Sequence, residues 1–307
     1  MTDRTHRPVL RGLSALAEPS TGSPRQQTAT VSTADDLADR QGYDPAFLPD
    51  FEVPLPTPVG SRADDVTPVE GSRDNRLDYT HFSIVMSRSR RLALFTALNI
   101  DGEQLRRIDR GDDHWRFDDR IPRDCQLGEA LYADNPLDRG HLVRRTAPNW
   151  GDRAEQANRD TFHFTNCSPQ MAGFNQQTWL GLEDYLIDHA RADDQRITVF
   201  TGPVLRDSDR CYRGVQIPEA FWKVVAFVDR NGRPSASGYM IEQAEDLDRL
   251  GFMFGQYRTY QRSVARIASL VELDFGELAG FDGFSNEEHD TGARIDAVIN
   301  GPEDIRL

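Results

Sequence analysis

Leu137-Asp138-Arg139-Gly140-His141-Leu142 is the run from which this chain is best read, and two others follow it: Asp160-Thr-Phe-His-Phe-Thr-Asn166-Cys-Ser-Pro-Gln170 and Phe174-Asn175-Gln176. The first ends on a histidine next to a glycine. The third places an asparagine where a loop gives way to a helical pattern over Gln176 to Ala190, and asparagine is a favoured helix N-cap. If the helix begins near Asn175, a turn of about 100° per residue puts Trp179 about 40° and Glu183 about 80° round from it, so all three share one side. The helix start also carries partial positive charge and suits an anion. Taken singly, each residue has an ordinary explanation: a solvated loop histidine, an N-cap, a core tryptophan, a surface glutamate. Their ordered combination points to chemistry.

That chemistry is phosphodiester hydrolysis. A base must deprotonate water, the charge growing at phosphorus must be neutralised, and the leaving oxygen must be stabilised. His141 suits the first task, because an imidazole titrates near pH 6.5, close to working pH. A hard cation such as Mg²⁺, with Mn²⁺ as substitute, takes oxygen ligands and keeps much of its water shell, so one amide oxygen from Asn175 suffices to hold it. Arginine forks match phosphate oxygens two at a time.

Beyond this chemistry, the chain resembles the DNA/RNA non-specific endonucleases, the sugar-nonspecific ββα-metal nucleases to which mitochondrial endonuclease G is related. The resemblance rests on the three runs above, on the extension of the third to Glu183, and on Phe200-Thr-Gly-Pro203; it spans roughly residues 75 to 275. It implies that His141 is the general base, Asn175 the direct protein ligand of the metal, Asn166 the residue that props the site, and Glu183 the partner of metal-bound water. Arg139 belongs to the motif. An upstream arginine against the scissile phosphate is also implied, and Arg110 is the candidate among Arg106, Arg107, Arg110 and Arg116. The family further implies 5′-phosphate and 3′-hydroxyl products, cleavage of both DNA and RNA, and relatives that often dimerise. Where many members continue past the histidine with a proline-containing turn, this chain reads Leu142-Val143-Arg144-Arg145, which alters the charge of the neighbouring groove. Two other readings stay open: a nuclease-like module that binds nucleic acid without turnover, and a metal-dependent phosphodiesterase acting on small nucleotides.

Composition bounds these readings. A chain of 307 residues with a net charge of −14 is long enough to bury a real core, yet its charge sign opposes a polyanionic substrate. Distribution reconciles the two: Arg88, Arg90, Arg91, Arg106, Arg107 and Arg110, then Arg139, Arg144, Arg145 and Arg153, describe a basic cleft on an acidic body, with Arg144 and Arg145 expected to contact nucleic acid. Lys223 is the sole lysine, which reads as a preference for arginine throughout. Cys125, Cys167 and Cys211 are too scattered for a disulfide framework or zinc site and are expected as buried free thiols. No apolar run reaches the roughly 18 residues of a membrane span, and the first twenty residues, with Arg4, Arg7, Arg11 and Asp3, lack the apolar core of a secretory signal. A cytoplasmic location or export by another route is expected. A nuclease kept in its own cell would need an inhibitor or an activating partner.

The organisation expected is a disordered tail (1–40), a proline-rich extended arm (41–75) anchored by Tyr43, Phe47, Leu48 and Phe51, a nuclease domain (76–275) and an acidic C-terminal extension (276–307), only partly ordered. Strands are predicted at Tyr79 to Met86 and Leu92 to Ile100 as a hairpin, at Thr161 to Thr165, Ile197 to Phe200, Phe221 to Asp229 and Gly238 to Ile241, with Thr201-Gly202-Pro203 as a turn. Helices are predicted over Ala154 to Asn158, Gln176 to Ala190 and Gln256 to Leu270. His81 and His163 read as packed strand residues. The fold class is α+β: a mainly antiparallel sheet core with flanking helices, to which the resemblance adds a ββα-metal (His-Me finger) site.

Overall fold

Ala220-Phe-Trp-Lys-Val-Val-Ala-Phe-Val228 is apolar on both alternations except at Lys223, so a strand built from it must be covered on both faces. The computed structural model, which describes residues 30–109, 111, 114–171, 187, 190–191, 195–229, 231–243, 258–299 and 304–306, places this run near the middle of the molecule. Its strands, in chain order, are β1 (Thr30–Ser32), β2 (Thr57–Pro58), β3 (Arg76–Asp78), β4 (Phe82–Met86), β5 (Ala93–Asp101), β6 (Arg116–Asp118), β7 (Leu137–His141), β8 (Cys167–Met171), β9 (Arg196–Val204), β10 (Arg210–Tyr212), β11 (Val215–Ile217), β12 (Ala220–Val228), β13 (Pro234–Glu242), β14 (Arg258–Arg262), β15 (Leu273–Asp274) and β16 (Ala297–Ile299).

The main sheet has eight strands in the order β16-β14-β13-β12-β9-β5-β4-β3, and every neighbouring pair is antiparallel. Successive side chains of β12 alternate between two apolar layers. Trp222, Val224 and Ala226 join Phe200, Met240, Ile267 and Phe275 on one face. Phe221, Val225 and Phe227 join Ile84, Leu98, Leu142 and Val143 on the other. The second layer positions the site, because Leu142 and Val143 directly follow His141.

The predicted hairpin is present as β4 and β5, with a bulge at Val85/Met86. β9, β12 and β13 occupy the three later predicted strands; β9 and β13 run longer than expected, and β12 is shifted by one residue. Thr201-Gly202-Pro203 is not a turn: all three stay in β9, opposite Lys223, Trp222 and Phe221. A Cβ at Gly202 would lie 2.5 Å from Leu94 O and 2.9 Å from the Trp222 ring, so the glycine admits a close approach between strands. The helix predicted over Gln256 to Leu270 is, where described, strand β14 followed by a helix, Val264–Val271. Tyr260 is drawn into the ladder opposite Met240, and Ser263 Oγ caps the helix by accepting from Arg266 N at 3.1 Å. Thr161 to Thr165 is not a strand either: Thr161 caps the helix Ala154–Asp160, and Phe164–Asn166 is a single tight helical turn.

The two chain ends also differ from expectation. Residues 30–40, assigned to a disordered tail, form β1 beside β6 and a helical turn, Ala34–Leu37. Arg40 then pairs with the buried Asp160, Nε to Oδ2 at 2.8 Å. Beyond residue 275, Leu278 and Phe281 pack on the core, a helix spans Gly283–Thr291, and β16 extends the main sheet, because apolar side chains within the acidic stretch find the edge left by β14. The arm docks as predicted, with Tyr43, Phe47, Leu48 and Phe51 buried. All three cysteines are free; Cys125 and Cys167 are buried, but Cys211 is exposed. Among the described residues, no helix is long and apolar enough to cross a membrane.

Candidate active site

β7 and β8 stand apart from the main sheet as an antiparallel ribbon whose register pairs His141 with Cys167, Gly140 with Ser168 and Leu137 with Met171. The glycine is needed there, because a Cβ on Gly140 would lie 2.1 Å from Oε1 of the buried Gln170 side chain. His141 ends β7, half-buried. Its ring packs against Trp115, with centroids 4.9 Å apart, and edge-on against Phe162 at 5.1 Å.

What holds this histidine in place is Asn166. Its backbone carbonyl accepts from Leu142 N at 3.0 Å, and its Oδ1 accepts from Val143 N at 2.8 Å. Its Nδ2 donates to Val143 O at 2.9 Å and Thr161 O at 3.0 Å. Asn166 is fully buried, and its side-chain amide is committed to Val143 and Thr161. Leu142 and Val143 are themselves buried in the core layer, so the histidine is tied down from the sheet below as well as from the ribbon.

Arg139 and His141 lie two apart on β7 and therefore project to one side. Both meet Trp115, the Arg139 guanidinium lying 5.7 Å from its ring centroid. Arg139 Nη1 is gripped by Glu129, at 2.6 Å from Oε1 and 2.5 Å from Oε2. Arg144 and Arg145, expected to act together, diverge. Arg144 lines a small cavity with Lys223, Thr201 and Ile187 above the sheet. Arg145 Nη1 donates to Asn158 Oδ1 at 3.0 Å and Ile108 O at 3.3 Å, and its side chain lines an open hollow. Arg110, Asn175 and Glu183, with Trp179 and most of the helix predicted from Gln176, lie outside the described residues.

Beneath the site lies a buried polar network. Tyr79 Oη donates to Asp118 Oδ2 at 2.5 Å and lies 2.7 Å from Thr165 Oγ1, one residue before Asn166. Burial alone would raise the Asp118 carboxyl, but the hydrogen bonds and charge of Arg120, with the bond from Tyr79, hold it below the usual carboxylate range. His163 bridges Asp160 O at 2.8 Å and Ser32 Oγ at 2.9 Å, and burial pushes its imidazole below the ordinary value. His81 stacks on Trp150 with centroids 3.5 Å apart, sitting at a left-handed bend (φ 69°) before β4 and not within the strand. Both histidines serve packing. Cys167, opposite His141, is no nucleophile: burial pushes its thiol up to about 12.

Sequence reasoning did not single out Trp115, Phe162 or Glu129 as neighbours of the motif. Trp115 alone left a trace, as a large aromatic amid the charges of Asp112-Asp113-His114-Trp115-Arg116. Among the described residues, no group of three or more histidine, cysteine or carboxylate side chains is placed to hold a metal.

Comparison with known proteins places these features in context. The family model of the DNA/RNA non-specific endonucleases matches residues 61–279. An uncharacterized protein of Sinorhizobium fredii, y4fB, is 42% identical over 319 residues, covering 96% of this chain and 47% of that protein. Mitochondrial endonuclease G of Homo sapiens is 29% identical over 165 residues, 50% of this chain and 54% of that one. The chain thus spans about half the length of the curated relatives it matches. A chain in the crystal structure of the EndoG/EndoGI complex is similar in fold, with a TM-score of 0.52 at 18% identity, covering 67% of this chain and 87% of that chain.

Proposed function

Starting from the DNA/RNA non-specific endonuclease family, to which this chain belongs, we propose that it hydrolyses phosphodiester bonds of DNA and RNA with a divalent ion, without sequence or sugar specificity. The observation that carries the reading is His141 at the end of β7, walled by Trp115 and Phe162 and propped through Val143 by Asn166. His141 takes the proton of the attacking water, so no 2′-hydroxyl is needed and both sugars are substrates. Arg139, aligned by Glu129, and Arg110 present guanidinium charge to the non-bridging oxygens. The products carry 5′-phosphate and 3′-hydroxyl ends.

A hard cation takes oxygen ligands, and we assign it to the amide oxygen of Asn175. The Asn166 amide is spent on Val143 and Thr161 and is not available as a ligand. Asn175 follows Met171 by four residues, a reach of at most about 14 Å, and β8 covers about the same distance from Met171 back to the level of His141. Glu183 is assigned to orient the metal-bound water. Bound at Asn175, Mg²⁺ or Mn²⁺ would supply Lewis acidity toward the phosphate oxygens.

The test is digestion of supercoiled plasmid and ribosomal RNA with and without Mg²⁺, comparing wild type with His141→Ala. Degradation of both by wild type and of neither by the variant supports the reading. More than a tenth of wild-type activity in the variant contradicts the role of His141. Hydrolysis of a small generic phosphodiester but of neither polymer would favour a nucleotide phosphodiesterase; binding of both without cutting would favour a binding module. Calorimetric titration of Mn²⁺ into wild type and Asn175→Ala tests the ligand independently of turnover, and equal affinities would rule it out.

A further inference from the structure

Across Phe162 from His141 lies an open hollow of about 210 Å³. Among the described residues its rim carries Arg116, Arg145 and Arg159, with Asn158 and His114, against the carboxylate of Asp109. On a chain of net charge −14, this gathers three guanidiniums around one concavity. The three come from separate elements: Arg116 opens β6, Arg145 follows the pinned loop, and Arg159 sits on the helix Ala154–Asp160. Folding, not sequence adjacency, assembles them.

We infer that this hollow is a second phosphate subsite, which holds a backbone phosphate of the polynucleotide next to the one attacked at His141. The inference rests on the nuclease reading above. Phe162 forms both the wall of the hollow and an edge contact to the His141 ring, so a strand leaving the histidine over Phe162 enters the hollow directly. Its volume lies below the roughly 300–1,000 Å³ of small-molecule sites, which suits a phosphate with its sugar edge better than a nucleobase. Arg145 is aimed by Asn158 Oδ1 at 3.0 Å. Among the described residues Arg159 is tied only to Glu155, at 3.9 Å, and both side chains are well exposed, a link too weak to compete with a phosphate. Arg116 is half-buried, and its charge also reaches the exposed Asp36. Guanidinium forks grip phosphate oxygens in pairs, whatever the sugar, so DNA and RNA are held alike.

The experiment compares wild type, Arg159→Gln, Arg116→Gln and the double variant. Fluorescent single-stranded DNA and RNA oligonucleotides are bound in EDTA across a salt series, so that this arm needs no turnover. Each substitution is expected to weaken binding of both polymers several-fold and to reduce the slope of log affinity against log salt by about one. In steady-state cleavage, KM for the oligonucleotide rises while hydrolysis of bis(p-nitrophenyl) phosphate, which has no second phosphate, is unchanged. An unaltered salt slope in the double variant overturns the subsite, and so does failure of the wild type to bind either oligonucleotide. Equal losses on the polymer and the small diester also overturn it, since the arginines would then act in the reaction or in folding. Inorganic phosphate titrated against the bound oligonucleotide separates the two sources of the ligand: saturation of the arginines by free phosphate without displacement of the strand overturns the proposal. Cleavage intact with binding unchanged refutes the subsite alone, whereas binding lost in the variants of a protein that never cuts refutes the hydrolase reading and keeps the subsite.

Discussion

Replacing Asn166 by alanine tests the propping argument most directly. The substitution removes three side-chain hydrogen bonds at 2.8, 2.9 and 3.0 Å and leaves Val143 N, Val143 O and Thr161 O without these partners in a region closed to solvent. A buried backbone group deprived of its partner costs about 1–3 kcal/mol, and partial relaxation of the loop brings the sum to about 3–5 kcal/mol. Against a typical total stability of about 5–15 kcal/mol the protein should still fold. Its melting temperature should fall by about 10 °C, taking roughly 2–4 °C per kcal/mol for a chain of this size. The same bonds locate His141, and misplacement of a catalytic group by about 1 Å costs about a hundredfold in rate. Urea unfolding and plasmid nicking under saturating Mg²⁺ measure the two effects. Asn166→Asp sharpens the test: it keeps an acceptor for Val143 N but cannot donate to either carbonyl and buries a charge, so it should rescue neither property. A stability loss below about 1 kcal/mol would show that the loop is held otherwise. A full stability loss with turnover within twofold of wild type would show that the position of His141 does not depend on Asn166.

Other expectations follow from the same geometry. Gly140→Ala drives a methyl to within 2.1 Å of Gln170 Oε1, so it should cost about 1–3 kcal/mol of overpacking and slow cleavage about tenfold; adding Gln170→Ala should restore the melting temperature, and failure to do so would refute the steric account. Arg120→Ala strands the fully buried Asp118 carboxylate and should destabilise by about 3–5 kcal/mol in urea, a loss under about 1 kcal/mol showing that the pair is dispensable. His163 has its folded pKa depressed by burial, so its contribution to stability is present above the unfolded value of about 6.5 and is lost as pH falls through the folded value. Melting temperatures measured from pH 7.5 down to pH 5 should therefore fall more steeply in wild type than in His163→Gln; parallel profiles would remove His163 from the acid response.

The sequence by itself determined the elements whose causes are local. Alternating and continuous apolar runs located β4, β5, β9, β12 and β13, and the motif runs in their order identified the family to which the chain belongs. It also set His141, within the ordered motif runs, apart from His81 and His163, which read as packed residues. Tertiary structure alone decided what depends on distant partners. Gly202 looks like a turn signal until Trp222 and the Leu94 carbonyl are seen to need its missing Cβ. Tyr260 keeps helical spacing with Ile267, yet the open edge of β13 offers its backbone a ladder, and strand pairing prevails over local period. Arg144 and Arg145 read as one basic patch, but neighbouring side chains leave the chain in different directions, one toward the sheet and one into the hollow beside Phe162. The walls of the site, Trp115 and Phe162, and the second set of arginines belong to segments with no shared pattern in the sequence. Chain closure in three dimensions brings them to His141, and linear spacing carries no record of it.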